Sequence, residues 1–434
     1  MINFLLKRLV GSSLTRSYPP DLSVSVSVMQ LQLLRTNLKH LSFIGRGFSS
    51  GLNLALARKG ILVKDKAFHN LNSSELQQLG AIIPESLSGL PLHIRGNVLE
   101  GASAISRTQF NKLLMQVTSH ISSISNVFVH DGAIGSSPKC DAKVRVISDS
   151  PSAVLSLSNV LWKTPSRAVS HDSCPLTVYV ATSIGPGITD IIGLGPQGTN
   201  GFIVGDVDHS SLVLCGKAFL DTDGTKEALA SLSGPIISAR GGLPLSARLL
   251  VIRDSVVLLF APENTIKSCA DKLVSADAGV ILSSLGAVTL FQNGSSGGSN
   301  LVKAPAAVIV ASSDSSGNIP SVSKLSPGQA AYHFLAGYQN GKFLPAYSKG
   351  PSSIDPLDLA NAFLSKLKVN QIPSFLVNVR HGEKSLTGKG FIKLVESTLS
   401  KNIPPLQTKA CDLQEKYESF LSGKFQKLPE ELSF

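Results

Sequence analysis

The sequence predicts an α/β protein. Two observations carry that expectation. Short β-branched apolar segments recur between Gly, Ser and Pro punctuation, and helix-period segments fall among them. Hydrophobic residues are 43% and charged residues only 16% of the chain, ample for a large core. A length of 434 residues suits two or three domains.

The N-terminus comes first and differs from the rest. Residues 1–64 hold nine Lys or Arg against Asp21 alone, so +8 of the net +11 lies there. MINFLLKRL (1–9) can place Ile2, Leu5, Leu6 and Leu9 on one helical face, with Lys7 and Arg8 off it. Basic, Ser- and Leu-rich and nearly acid-free, residues 1–48 read as a mitochondrial targeting segment, and RGFS (46–49) as a matrix-protease cleavage context. A secretory signal fits less well, because charge soon interrupts the early apolar run. The strand-like LSVSVSV (22–28) receives no functional assignment. With the basic excess confined to this segment, the chain shows no phosphate-tracking stripe, which argues against direct nucleic-acid binding. No apolar run nears the ~18 residues that span a bilayer, so no membrane span is expected.

Two domains are expected, 60–247 and 248–434. HNLNSSELQQLGA (69–81) reads as a helix capped by Asn72 or Ser73. NVFVH (126–130), KVRVIS (143–148), LTVYVA (176–181), GFIVGDV (201–207) and SLVLCG (211–216) read as strands, with SAVLSLSNVLW (152–162) as a helix among them. LLVI (249–252), VVLLF (256–260), AGVIL (278–282), AVTLF (287–291), AAVIVASSD (306–314) and SFLVNV (374–379) supply the second set of strands. QNGSSGGSN (292–300) is a loop by composition. PGQAAYHFLAGY (327–338), DPLDLANAFLSKL (355–367) and QEKYESFLSGKF (414–425) read as helices.

Several motifs lose their chemistry on inspection. GLGPQG (193–198) spells a dinucleotide loop, but Pro196 interrupts it and a strand follows where a helix should receive the pyrophosphate. His171, Asp172 and Ser173 are consecutive, so their side chains diverge instead of forming a relay. His381-Gly382-Glu383 reads as a solvent loop before a metal pair. The five cysteines are scattered with no C-x-x-C pair, which suits reduced thiols and signals no zinc site.

After the apolar run Val256–Phe260, residues 261–268 fill the frame of a nucleotide-binding loop, G-x-x-x-x-G-K-[ST]. Lys267 and Ser268 fit its last positions, but Ala261 and Ile266 replace both glycines. Those glycines turn backbone N–H groups toward phosphate. Ile266 resists φ > 0, Pro262 removes a donor and Glu263 adds negative charge. The frame is therefore expected to be a vestigial phosphate loop.

SSDSSGNIPSVSKLSPGQAAYHFLAGY (312–338) is far more specific. It resembles the ATP-dependent phosphoenolpyruvate carboxykinases, whose pattern is D-x-x-G-x-x-P-x-x-x-x-L-x-x-x-Q-x-x-Y-H-F-x-x-G-[YF]. Asp314, Gly317, Pro320, Leu325, Gln329, Tyr332, His333, Phe334, Gly337 and Tyr338 match in unbroken register. Weaker echoes run from about residue 69 to 425. The resemblance implies a carboxykinase-like α/β fold: a mixed-sheet N-terminal domain, a shortened P-loop-type C-terminal domain, and a site in the cleft between them.

The family decarboxylates oxaloacetate and phosphorylates the enolate from ATP with two divalent metals. By resemblance, Arg107 and Lys112 match its substrate-binding segment, with Asn111 in place of an aspartate. The metal-binding lysine pair falls near Gly224 and Thr225, with Lys226 one place off; the metal histidine falls near Pro244; the tandem aspartates fall on Ser283 and Ser284. An active site would need replacements such as Asp221, Asp223, Asp271 or Asp277. Loss of the hard oxygen donors and of the glycines implies that ATP and Mn²⁺ or Mg²⁺ binding is lost. Arg107 and Lys112 are then vestigial substrate-binding residues, and Asp314, Gly317, Pro320, Tyr332, His333 and Phe334 a structural signature. The resulting expectation is a non-catalytic protein with protein partners in a mitochondrial complex. The alternatives are a divergent active carboxykinase and an anion-binding module centred on Arg107.

Overall fold

Strand-forming segments of the first half assemble into one mixed sheet. Its members are β1 (Lys66–His69), β2 (Leu92–Arg95), β3 (Ser103–Ala104), β4 (Asn126–Ile134), β5 (Ala142–Ser148), β6 (Trp162–Lys163), β7 (Leu176–Ala181), β8 (Gly201–Asp206) and β9 (Ser211–Gly216). The order is β1-β4-β5-β7-β9-β8-β2-β3, with β6 paired to β4. The structure is a computed structural model describing residues 49–434 apart from 100, 165–175, 186, 189, 191–192, 194–199, 275–277, 293–302, 340–341, 349, 382–383, 387 and 408–411. Residues 1–48, expected as a targeting segment, most of GLGPQG, the His171–Ser173 run, the loop 293–300, Asp277, Gly382 and Glu383 lie outside those residues.

Period-two alternation explains why this sheet is covered on both faces. Val144, Val146, Val178, Val180, Leu212 and Leu214 face one core, with the helices Pro151–Ser158 and Thr222–Ala239. Ile147, Tyr179, Val213 and Cys215 face the other, with Phe110, Leu113, Val117 and Ile121 of the helix Arg107–Ser123. Leu52 and Leu56 of the helix Ser49–Ala57 join that second core. The expected cap at 72 is present: Asn72 and Glu75 form a capping box for the helix Ser73–Gln78.

The second half builds β10 (Leu243–Leu245), β11 (Arg248–Ile252), β12 (Ser255–Phe260), β13 (Val280–Ser283), β14 (Gly286–Thr289), β15 (Ala307–Ser312), β16 (Val322–Leu325), the short pair β17 (Tyr338–Gln339) and β18 (Lys342–Phe343), and β19 (Ser374–Asn378). A five-stranded sheet runs β11-β12-β15-β19-β16. The helices Pro327–Ala336, Pro356–Asn370 and Asp412–Lys424 cover one face. The helix Lys389–Ser400 covers the other through Phe391 and Val395.

Between these layers sits a small sheet, β10-β13-β14. One of its faces, Ile281 and Val288 with the following Leu290 and Phe291, packs into the core of the first half. Its other face, Val280, Leu282 and Ala287, packs into the core of the second. Residues beyond 248 thus help to build the core of the 60–247 half. Among the described residues no helix is long and apolar enough to cross a membrane.

Candidate functional site

A cleft of about 470 Å³ opens where the helix Thr222–Ala239 faces the start of the five-stranded sheet. Each wall has a sequence reason. Asp221 starts the helix: its Oδ1 accepts from Gly224 N at 2.9 Å and its Oδ2 from Leu90 N at 2.8 Å. Helical spacing then sends Asp223, Lys226, Glu227 and Ala230 toward the cleft. Arg248 enters from β11, Glu263 and Lys267 from the short helix Glu263–Ser268, and Pro244 and Leu245 from β10. Phe334 and Tyr347 close the apolar side. Phe260 lies beneath them, with ring centroids 5.1 Å from Phe334 and 5.5 Å from Tyr347.

The charged groups are mixed in sign. Lys226 is only 8% exposed. Burial, then Asp223 and Asp221, raises the pKa of Glu227 above the usual carboxylate value. Lys267 Nζ lies 3.9 Å from Glu263 Oε1 one helical turn back, with 75% of its side chain exposed.

The nucleotide-loop frame has a conformation of its own. The chain leaves β12 at Phe260, passes Ala261 and Pro262, and winds at once into the helix Glu263–Ser268. Ile266 N donates to Pro262 O and Cys269 N to Ile266 O, so backbone groups within the frame are committed to the helix. Ile266 and Thr265 are buried. Ser268 Oγ donates to Thr265 O at 2.7 Å and accepts from Gly388 N at 2.9 Å. Lys267 reaches the cleft; Ser268 serves the fold.

The other candidates divide similarly. Arg107 is the first residue of its helix, whose cap is the Ser106–Gln109 box, and both Arg107 and Lys112 are exposed. Neither lines the cleft. Thr225 is buried and bonds Ala218 O, whereas Lys226 beside it projects into the cleft. Ser283 bonds Gly286 O at 3.1 Å in the β13–β14 turn, away from the cleft. Of the replacement carboxylates, Asp221 is spent on two backbone amides, Asp271 is exposed outside the cleft, and Asp223 lines it. No group of three or more His, Cys, Asp or Glu that could hold a metal converges among the described residues. Cys140, Cys215 and Cys269 are buried free thiols.

The Asp314–Tyr338 segment is a lattice of internal bonds. Asp314 Oδ1 accepts from Ser316 N and Oγ, and Oδ2 from Ile319 N. Burial pushes the Asp314 pKa up, but these bonds outweigh it and hold the carboxyl below its usual range. Asn378 at the end of β19 grips the same turn: its Oδ1 accepts from Asp314 N, and its Nδ2 donates to Asp314 O and Ile319 O. Gly317 takes φ +80° inside the turn, and exposed Pro320 follows it. Leu325 is in the core, and Gln329 closes a capping box with Ser326. Gly337 ends the helix at φ +57°, where a Cβ would stand 2.0 Å from Leu344 O.

His333 is wholly buried among Tyr332, Tyr417 and Phe434, and its ring nitrogens have no hydrogen-bond partner among the described residues. Burial lowers its pKa to about 3, so it is a neutral core ring. Burial raises the Tyr332 hydroxyl to about 12. Arg248 and the segment 350–354 beside the cleft were not legible in the sequence, because only tertiary folding brings them to the helix Thr222–Ala239.

No curated protein matches the chain. A family model, phosphoenolpyruvate carboxykinase of the ATP-dependent type, matches residues 290–343, a span that contains the whole Asp314–Tyr338 pattern and supports the likeness to that family.

Proposed function

We propose that this chain is a non-catalytic, carboxykinase-like protein that acts as a structural or interaction subunit of a mitochondrial assembly, either a respiratory complex or the mitochondrial ribosome. One observation carries the first part of this reading. The frame that would cradle phosphate is a half-buried turn of helix, with Thr265 and Ile266 inside and its serine hydroxyl engaged at Thr265 and Gly388. A phosphate loop needs a run of free, inward-facing N–H groups, and here the chain winds into helix at Glu263, so that from Ile266 onward the N–H groups bond back along the helix. The acid-poor, basic start of the chain supports a mitochondrial destination. The low charged content suits buried protein interfaces, whose cores are depleted in charge.

The test is ligand-induced stabilisation. A nucleotide at ~100 Kd adds about 2.7 kcal/mol to stability. ATP with Mn²⁺ should leave the melting temperature unchanged, and the protein should migrate with a large complex on a native gel. Turnover of oxaloacetate and ATP to phosphoenolpyruvate, ADP and CO₂ would establish the alternative, a divergent active carboxykinase that recruits Lys226 and Asp223. Stabilisation by a dicarboxylate alone would favour an anion-binding module, centred on Lys226 and Arg248 in preference to exposed Arg107.

A further inference from the structure

The link between the Pro345–Tyr347 turn and the helix Pro356–Asn370 runs along the cleft as Gly350–Ile354, and all five residues line it. This segment belongs to the second half of the chain but is bonded to the first. Leu99 N donates to Ser352 O at 2.7 Å, and Ser352 N to Leu99 O at 3.1 Å, a two-way antiparallel bridge. Ser353 Oγ donates to Ser231 O at 2.5 Å.

The sequence has prepared a seat for it. Pro235 lies inside the helix Thr222–Ala239. A helical proline has no N–H for the carbonyl four residues back, here Ser231. That is the carbonyl Ser353 bonds. Gly234, next to the proline, leaves the space: a Cβ there would stand 3.2 Å from Ser353 Oγ and 3.3 Å from Ile354 Cδ1. Gly101 does the same beyond Leu99, where a Cβ would stand 3.0 Å from Pro351 N. The opposite border of the cleft is built differently. Pro244, Leu245 and Leu290 line it there, and they belong to the β10-β13-β14 layer or its flank, packed into both cores. One border is a shared hydrophobic core, and the other is a few hydrogen bonds at a glycine-proline seat with the partly buried Ile354 at the core's edge.

We propose that Gly350–Ile354 is a releasable clasp, which holds the cleft narrow and keeps Lys226 covered by fastening to Leu99 and to the carbonyl that Pro235 leaves open. Release requires the loss of the Leu99 and Ser231 bonds and of the edge contact that Ile354 makes with the second core, so it can occur without unfolding the strands of either core. This inference does not depend on whether the cleft performs chemistry.

The test is acylation of the full chain by a small amine-reactive ester, followed by mass spectrometry. Lys226 is read against exposed Lys267 as an internal reference. Ser353→Ala and Pro235→Ala should each raise relative Lys226 labelling several-fold and speed deuterium exchange at the Ser352 amide. Exchange at the β12 amides should not change. Pro235→Ala separates release from general weakening, because it restores a helical N–H and should hold or raise Tm while exposing Lys226. Gly234→Val should give the largest effect; if it fails to fold, the two milder variants decide. Unchanged Lys226 labelling in both, or a Ser352 amide already unprotected in the wild type, overturns the clasp.

Discussion

The turns that follow β12 and β15 make an instructive pair. The strands are parallel neighbours, and Phe260 lies opposite Val310. After β15 the chain enters the Asp314–Ile319 turn, where carboxylate, hydroxyl, amide and backbone groups bond one another and Asn378. After β12 it enters the 261–268 frame, where the Ser268 hydroxyl bonds Thr265 O and Gly388 N while Lys267 stays exposed. The first turn lies in the span that matches the carboxykinase family model, and the second has no glycine at either glycine position of the nucleotide-loop frame. Buried residues that bond each other contribute to stability, whereas exposed side chains with few partners contribute little. If that is correct, substitutions in the first region should cost stability and those at exposed positions of the second should cost almost nothing.

Phe334→Ala should give the largest effect. The ring packs against Phe260 and Phe363 at centroid distances of 5.1 and 5.0 Å and is fully buried. Its removal should cost about 3–5 kcal/mol in urea denaturation. Asp314→Ala comes next, at about 2–3 kcal/mol, because it leaves the Ile319 N–H buried without its acceptor. A loss below 0.5 kcal/mol for either would remove the distinction between the two turns.

His333 sharpens the comparison through pH. Burial depresses its folded-state pKa to about 3, below the unfolded value near 6.5. The unfolded chain therefore binds the proton first. The neutral ring's contribution is complete above about pH 6.5 and is lost as pH falls toward 3. At pH 5 that loss is about 2 kcal/mol, since each unit is worth about 1.4 kcal/mol. His333→Leu should recover most of it, and its stability profile from pH 6.5 to 3 should be flatter than the wild type's. Some slope should persist, because His130 is also depressed, to about 4, chiefly by burial and against the pull of Asp131. An unchanged slope would show that His333 is not the neutral core ring described.

Much of this fold was legible in the sequence. Near-continuous apolar runs such as LTVYVA and SLVLCG marked strands, and the structure buries them on both faces. The helices Arg107–Ser123, Thr222–Ala239 and Lys389–Ser400 were not anticipated. The second carries Gly224, Gly234 and Pro235, which read as breakers until the packing of Leu229, Leu232 and Ile237 overrides them. The helix SAVLSLSNVLW was drawn too long: it stops at Ser158, and Trp162 enters β6. In the site, the absence of glycine at 261 and 266 was readable, but the helical winding of 263–268 was not. Nor was the burial of Lys226 in the cleft, which depends on contacts between segments distant in sequence.

The smallest predicted effect is also the most discriminating. Lys267 is the one residue of the 261–268 frame that both fits the nucleotide-loop pattern and lines the cleft. In a working phosphate loop that lysine carries charge to the β- and γ-phosphates, and its loss removes nucleotide binding. Here its nearest opposite charge is Glu263 at 3.9 Å on an exposed face, a pair of little consequence for stability. Lys267→Ala should therefore shift stability by less than about 0.5 kcal/mol. It should also leave melting in ATP and Mn²⁺ superimposable on the wild type's. A wild-type stabilisation by ATP that vanished in Lys267→Ala would mean that the frame still grips phosphate from its helical state. The contrast between a frame without a phosphate cradle and a self-bonded turn would then fail at its first member.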